Sequence, residues 1–135
     1  MPLDTAALLA SMPFAVAAGV ELEHADADEV RGRMSWAPDR CTVGGRLHGG
    51  ALITLADSVG AICAFLNLPH GAQTSTIESK TNFFRGVAAG EAIAAATPIH
   101  VGRTTIVVQT DIRDGDGKRV ALVTQTQAVL QREDR

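Results

Sequence analysis

One carboxylate, Asp57, stands in a stretch that carries no other charge between Gly49 and Leu68. Burying a carboxylate without a partner costs several kcal/mol, in order of magnitude, so an aspartate in such surroundings needs a reason. It is either an ordinary polar residue satisfied by fixed donors, for instance at a subunit contact, or a base or nucleophile strengthened by partial loss of water. Upstream lies His48-Gly49-Gly50. If a helix begins at these glycines, its first N–H groups lack intrahelical partners and carry the positive end of the helix dipole, where a developing oxyanion is stabilised. Without side chains, Gly49 and Gly50 let a ligand carbonyl reach the main chain closely. Alone, such a glycine pair reads as a tight turn; the downstream carboxylate makes it informative.

Spacing then constrains assembly. Gly49 and Asp57 are 57 − 49 = 8 positions apart, roughly 12 Å along one helix at 1.5 Å per residue. One carbonyl cannot touch both. If both act on a single bond, amide and carboxylate must come from two antiparallel helices related by a two-fold axis, which predicts a dimer with shared sites.

The element that must carry these groups is a helix within Arg46 to Pro69. On a helical wheel Leu52, Leu55, Ala56, Val59, Ile62, Cys63 and Leu66 form one broad apolar face; Ile53, Asp57, Ala61, Ala64 and Phe65 lie on or near the other side. Asp57, Asn67, Thr54 and Ser58, and strand-like sequence on both flanks, argue against a membrane span. Asp4 is placed to cap a short helix over Thr5 to Ser11, ended by Pro13. Val20 to Trp36 alternates around an acidic turn at Asp26 to Glu29 and reads as two antiparallel strands. Pro38 to Leu47 is a turn-rich loop. Its glycines lack the lysine and hydroxyl spacing of a phosphate loop. Four further strands come next: Gln73 to Arg85, Glu91 to Val101, Arg103 to Arg113 and Arg119 to Gln131, with a hairpin turn at Asp114 to Lys118. The fold class is therefore α+β, an antiparallel sheet with one dry face toward the central helix. Gln109, Asp111, Arg113, Thr124, Gln125, Thr126 and Gln127 are expected on the opposite, partly polar face.

At 135 residues the chain makes a single domain, 1–135, with an N-terminal helical segment over 1–18 and a core over 19–131. A net charge of −3 offers no basic field for nucleic acid, and 4% aromatic residues with no tyrosine give no base-stacking platform. Cys41 and Cys63 show neither metal nor redox spacing, so no metal site is expected. The opening MPLDTAALLASMPF lacks a secretory pattern, and the expected location is cytoplasmic. His24 reads as an exposed strand residue.

The runs LHGGALITLADSVG and TSTIESKTNFFR resemble the hotdog-fold acyl-CoA thioesterases, specifically the phenylacetate-pathway type within the 4-hydroxybenzoyl-CoA thioesterase superfamily. The resemblance covers about Gly19 to Gln131. It implies a sheet wrapped around a long central helix, functional homodimers pairing into dimers of dimers, and acyl-CoA as the substrate, with coenzyme A entering and leaving as part of it and no separate cofactor. It also implies that Asp57 is the nucleophile or general base, that the Gly49 amide polarises the thioester carbonyl, that His48 shapes the site, and that Thr76 is the assisting hydroxyl. Where many relatives carry Asn or Gln shortly before the HGG run, this chain has Thr42, a departure that leaves the second carbonyl-contacting residue open.

Coenzyme A phosphates need cations away from the thioester. Arg85, Arg103, Lys118 and Arg119 lie at expected strand ends, with Arg40 and Arg46 near the site mouth and His100 beside Gly102. Family members often use the start of the strand at Gly102-Arg103-Thr104 for the nucleotide. Gly50, Thr42, Arg85, Gly102, Arg103 and Thr104 are thus the expected substrate-binding residues. Two competing functions stay open: a hotdog dehydratase or hydratase of hydroxyacyl thioesters, which would need a histidine beside the carboxylate, and a non-catalytic acyl-CoA-binding module.

Overall fold

The computed structural model describes residues 4–131. The ends of the expected domain, residues 1–3 and 132–135, lie outside the described residues. Two short helices open the chain, α1 (Thr5–Ala10) and α2 (Pro13–Ala18), followed by β1 (Val20–Ala25) and β2 (Val30–Ser35). The long helix α3 (Gly49–Phe65) precedes β3 (Gln73–Phe83), β4 (Glu91–Val101), β5 (Thr105–Asp114) and β6 (Arg119–Leu130). Asp4 caps α1 as expected, its carboxylate accepting from Ala7 N–H at 3.1 Å. Pro13 does not merely end that helix; it opens α2 from the first-turn position, where a missing N–H costs nothing and a fixed φ is already helical.

All strand neighbours are antiparallel, in the order β1-β2-β4-β5-β6-β3, and α3 lies across the dry face. This is the α+β hotdog architecture expected from the sequence. Small residues let the helix sit low: Ala92, Ala94 and Ala96 of β4 are buried beneath it, and a Cβ added at Gly32 of β2 would come 2.6 Å from Val59 Cγ1. Of the expected apolar face Leu52, Leu55, Ala56, Val59, Ile62 and Cys63 are buried, and Leu66, just past the end of the helix, is half-buried. Ala64, on or near the other side of the wheel, is buried too, so the dry face of this 17-residue helix extends beyond the named apolar stripe.

Two expected strand ends move inward. Gly102 N–H donates to Thr105 O at 2.8 Å, which makes residues 102–104 a turn and starts β5 at Thr105. Phe84 and Arg85 both direct N–H groups to Val120 O, so the ladder of β3 stops at Phe83. A larger correction concerns β6. Gln125 and Gln127, expected on the polar outer face, are buried on the inner one, in step with Val123 and Val129.

A bulge in β3 decides which of its side chains face the helix. Thr76 pairs with Gln127 and Phe83 with Ala121, both buried inward positions of β6, although 76 and 83 are an odd number of residues apart. The register shift between Thr76 and Glu78 absorbs the extra residue and turns both side chains toward α3.

Candidate active site

His48 is the residue before the first turn of α3, and its Nδ1 accepts the Gly50 N–H at 2.7 Å. The fit needs a glycine there: a Cβ at Gly50 would stand 2.9 Å from that nitrogen. Ala51 and Leu52 N–H groups both turn to His48 O. Among the described residues no acceptor takes the Gly49 N–H. The helix start therefore offers one free donor, at its positive end, while its neighbour is already capped.

Two turns further on, Asp57 is gripped by one oxygen. Thr76 Oγ1–H donates to Asp57 Oδ1 at 2.9 Å, and Gln125 Nε2–H donates to the same oxygen at 3.0 Å. Behind them, Gln127 Nε2–H donates to Thr76 Oγ1 at 2.7 Å. Thr74 Oγ1 lies 2.9 Å from Ala128 O and 3.0 Å from Gln127 Oε1. With two donors on Oδ1, and none among the described residues on Oδ2, the carboxylate is oriented with one oxygen available for work. Asp57 is half-buried and lines a cavity of about 420 Å³ with Met12, Phe14, Ile53, Thr54 and Ser58.

Gly49 lines a different cavity, of about 510 Å³, shared with Thr42, Arg46, Phe83 and Arg85. His48 and Gly50 face a third, of about 500 Å³, with Arg40, Cys41 and Thr54. The fold thus joins Asp57 to Thr76 directly, groups Thr42, Gly49 and Arg85 around one opening, and ties His48 to Gly50. Gly102, Arg103 and Thr104 form the β4–β5 turn, bonded to the end of β6 through Val129 N–H to Thr104 O at 2.9 Å, and line neither the Asp57 nor the Gly49 cavity.

Several basic side chains are already engaged. Arg40 Nη1–H donates to Ser35 O at 2.8 Å and its guanidinium covers Gly19. Arg119 Nε–H reaches Asp111 at 3.0 Å. His24 meets Asp26 at 2.7 Å. Burial pushes the Cys63 thiol up to about 11, so it is no thiolate near neutrality. Among the described residues no group of three or more His, Cys, Asp or Glu is placed to hold a metal, and no helix is long and apolar enough to cross a membrane.

The positions sequence reasoning missed are Gln125, Gln127 and Gly60. The first two were legible in principle, since V-x-Q-x-Q-x-V over Val123 to Val129 puts both glutamines in phase with apolar residues.

Comparison with known proteins agrees with this architecture. The thioesterase-superfamily profile matches residues 44–121. A crystal structure of a mutant thioesterase from Pseudomonas aeruginosa superposes with a TM-score of 0.90 at 29% identity, covering 96% of each chain. A Haemophilus influenzae protein provisionally named an esterase is 35% identical over 64% of this chain, and the match spans only 62% of that relative's length. The 1,4-dihydroxy-2-naphthoyl-CoA hydrolase of Escherichia coli is 30% identical over 64% of this chain and 63% of its own. With more than half its length inside the family profile, and with the sheet-wrapped helix that its structural neighbours share, this chain belongs to the thioesterase superfamily.

Proposed function

We propose that the protein hydrolyses the thioester of an acyl-CoA at two equivalent sites, each shared between two copies of the chain. The observation that carries this reading is the Asp57 carboxylate, clamped through Oδ1 by Thr76 and Gln125 and undonated at Oδ2 among the described residues. The free Gly49 N–H is its complement, a helix too far away along the same chain. The carbonyl oxygen of the substrate accepts that N–H from one copy while Asp57 of the other approaches the carbonyl carbon. Asp57 either attacks, forming a mixed anhydride and expelling the thiolate of coenzyme A, or takes a proton from water, whose hydroxide attacks instead. In the first route a water then cleaves the anhydride, which frees the acid and restores the Asp57 carboxylate; in both routes the proton released from water ends on the thiolate, giving the acid and the free thiol.

Exposed apolar side chains support the pairing of copies. Ile53 and Phe65 on α3, Ile77 and Phe83 on the edge strand β3, and Phe84 just beyond it are all exposed in the single chain. A long unpaired edge with apolar neighbours invites a second strand. Dimers of dimers belong to the same family reading.

The acyl group would occupy the apolar cavity of about 520 Å³ between α1 and α3, walled by Leu8, Met12, Ala61, Ile62 and Phe65. Its polar neighbours are engaged: Ser11 Oγ–H donates to Leu8 O at 2.6 Å, and Asp4 accepts from Ala7 N–H. That wall suits a plain hydrocarbon acyl group better than a hydroxylated one. Arg85 and Arg46 beside Gly49, with Arg103 from the β4–β5 turn, would meet the phosphates, and His48, Gly50, Thr42, Gly102 and Thr104 would shape the entrance. Two unpaired thiols, Cys41 and Cys63, suit a cytoplasmic setting. The dehydratase reading is disfavoured because His48 Nδ1 accepts the Gly50 N–H, which puts the ring hydrogen on Nε2 and leaves no free ring lone pair to take a proton from carbon.

A panel of acyl-CoA esters, with free thiol detected by a colorimetric reagent on wild type and Asp57→Asn, tests the proposal. Expected are release of free thiol by wild type and loss of most turnover in a variant that keeps its oligomeric state. Undiminished turnover in Asp57→Asn overturns it. Binding without turnover in wild type would favour the non-catalytic module instead.

A further inference from the structure

Gln125 belongs to no expected site, yet everything around it is arranged for one contact. Its side chain is fully buried on the inner face of β6, in phase with Val123, Gln127 and Val129. Its Nε2–H donates to Asp57 Oδ1 at 3.0 Å. Its Oε1 is buried with no hydrogen-bond partner among the described residues. Uncompensated burial of an amide oxygen is costly, so this is not a position where an amide improves packing.

The helix makes way for it. A Cβ added at Gly60, one turn after Asp57, would stand 2.0 Å from Gln125 Oε1 and 2.7 Å from its amide carbon. Only a glycine lets the amide lie flat against α3 and still reach the carboxylate. Glycine inside a helix is less favourable than alanine, because it has more backbone freedom to lose. Two local penalties, the glycine and the orphaned oxygen, therefore converge on holding one N–H against Asp57.

We infer that Gln125 is a positioning residue for the Asp57 carboxylate, setting its rotation so that Oδ2 points to the reacting carbonyl. The inference rests on the proposed thioesterase activity. Thr76 supplies the second donor from the edge strand, oriented in turn by Gln127. Two donors from different strands fix a planar group against rotation, where one would leave it free to swing. The acyl and nucleotide groups do not touch Gln125 in the proposed geometry, so its loss is expected in kcat and not in KM.

Three variants test this, each checked for folding by circular dichroism and for assembly by gel filtration. Gln125→Met keeps size and removes the donor; kcat should fall about 10- to 100-fold, the range for a hydrogen bond to a charged group, with KM nearly unchanged. Gly60→Ala displaces the amide from the other side and should give a similar kcat loss without adding a titratable group. Gln125→Glu gives the signature that a merely structural role cannot imitate. The new carboxyl and Asp57 would share a proton, so at acid pH the protonated partner still donates to Oδ1 and activity survives. As the pH rises and the second proton leaves, two carboxylates face one another and Asp57 is driven from its orientation. Activity relative to wild type should therefore decline with rising pH.

A wild-type kcat in Gln125→Met, or a Gln125→Glu profile parallel to that of wild type, overturns the inference. The two readings fail separately. If Asp57→Asn is inactive while the Gln125 variants behave as wild type, only the positioning role is lost; if Asp57→Asn is fully active, the catalytic assignment itself falls.

Discussion

Thr76→Val separates the energetic and the chemical duties of one hydroxyl. Thr76 Oγ1 donates to Asp57 Oδ1 at 2.9 Å and accepts from Gln127 Nε2 at 2.7 Å. Valine keeps the shape and the strand preference of threonine, so the change deletes those two bonds and little else. Gln127 is 1% exposed, and without the hydroxyl its Nε2–H is left with no acceptor from Thr76. An unsatisfied buried donor costs about 1–3 kcal/mol, which for a domain of this size lowers Tm by roughly 3–12 °C. Asp57 keeps its bond from Gln125, so its orientation is loosened and not lost. A kcat drop of about 10-fold or somewhat more is expected from one weakened charge-assisted bond.

The double variant Thr76→Val/Gln127→Met discriminates between the two effects. Removing both partners of a buried hydrogen bond is nearly neutral, so Tm should return to within a few degrees of wild type. Turnover should not return, because the donor to Asp57 is still absent. Thermal melts and steady-state thiol release on wild type, both variants and Thr76→Ser, which retains the hydroxyl, give the full comparison. Wild-type kcat in Thr76→Val, or recovery of kcat along with Tm in the double variant, refutes the reasoning.

Two other predictions address the opposite end of the helix and the far side of the sheet. Gly49→Val places a Cβ 3.3 Å from Phe83 Cζ and side-chain bulk over the free N–H; kcat/KM should fall by about 10²-fold or more while gel filtration shows an unchanged assembly, and an unaffected kcat/KM would move the oxyanion donor elsewhere. Burial alone would raise the Asp111 carboxyl, but Arg119 and Arg113 hold it below the usual carboxylate range. The unfolded chain then takes up this proton first, so the group's contribution is present above about pH 4 and is lost as pH falls through the folded value; Asp111→Asn should flatten the decline of Tm below pH 4, and an identical decline in both proteins would refute the assignment.

What the sequence showed and what it hid divide along periodicity. The central helix, six strands and the hairpin at Asp114 to Lys118 were all visible, because apolar spacing and turn residues agree there. The strand ends at residues 83 and 105 differ from expectation by two residues, since Phe84, Arg85, Arg103 and Thr104 carry no local signal for where a ladder stops. Asp57 and Gly49 are marked by residue type and spacing, whereas Thr76 is implied by the family resemblance alone. A hydrogen bond joins Thr76 to Asp57, and helical rise alone sets the distance between Asp57 and the glycine turn. Gln125 and Gln127 take the inner face despite their polarity, because their phase with Val123 and Val129, and not residue type, sets their direction.

The two inward glutamines point to a physical rule within this fold. An inward strand position ordinarily takes an apolar side chain, and β6 obeys at Val123 and Val129 but breaks the pattern twice in succession between them. Both exceptions lead to one atom, Asp57 Oδ1: Gln125 directly, and Gln127 through the Thr76 hydroxyl. The bulge after Thr76 serves the same geometry, because without its extra residue Thr76 and Phe83 would face opposite sides of the sheet and could not both reach α3. A carboxylate kept only for solubility would need none of this. The glycine in the helix, the two inward glutamines and the rephased edge strand each work against local stability, and their common effect is to orient a single oxygen pair.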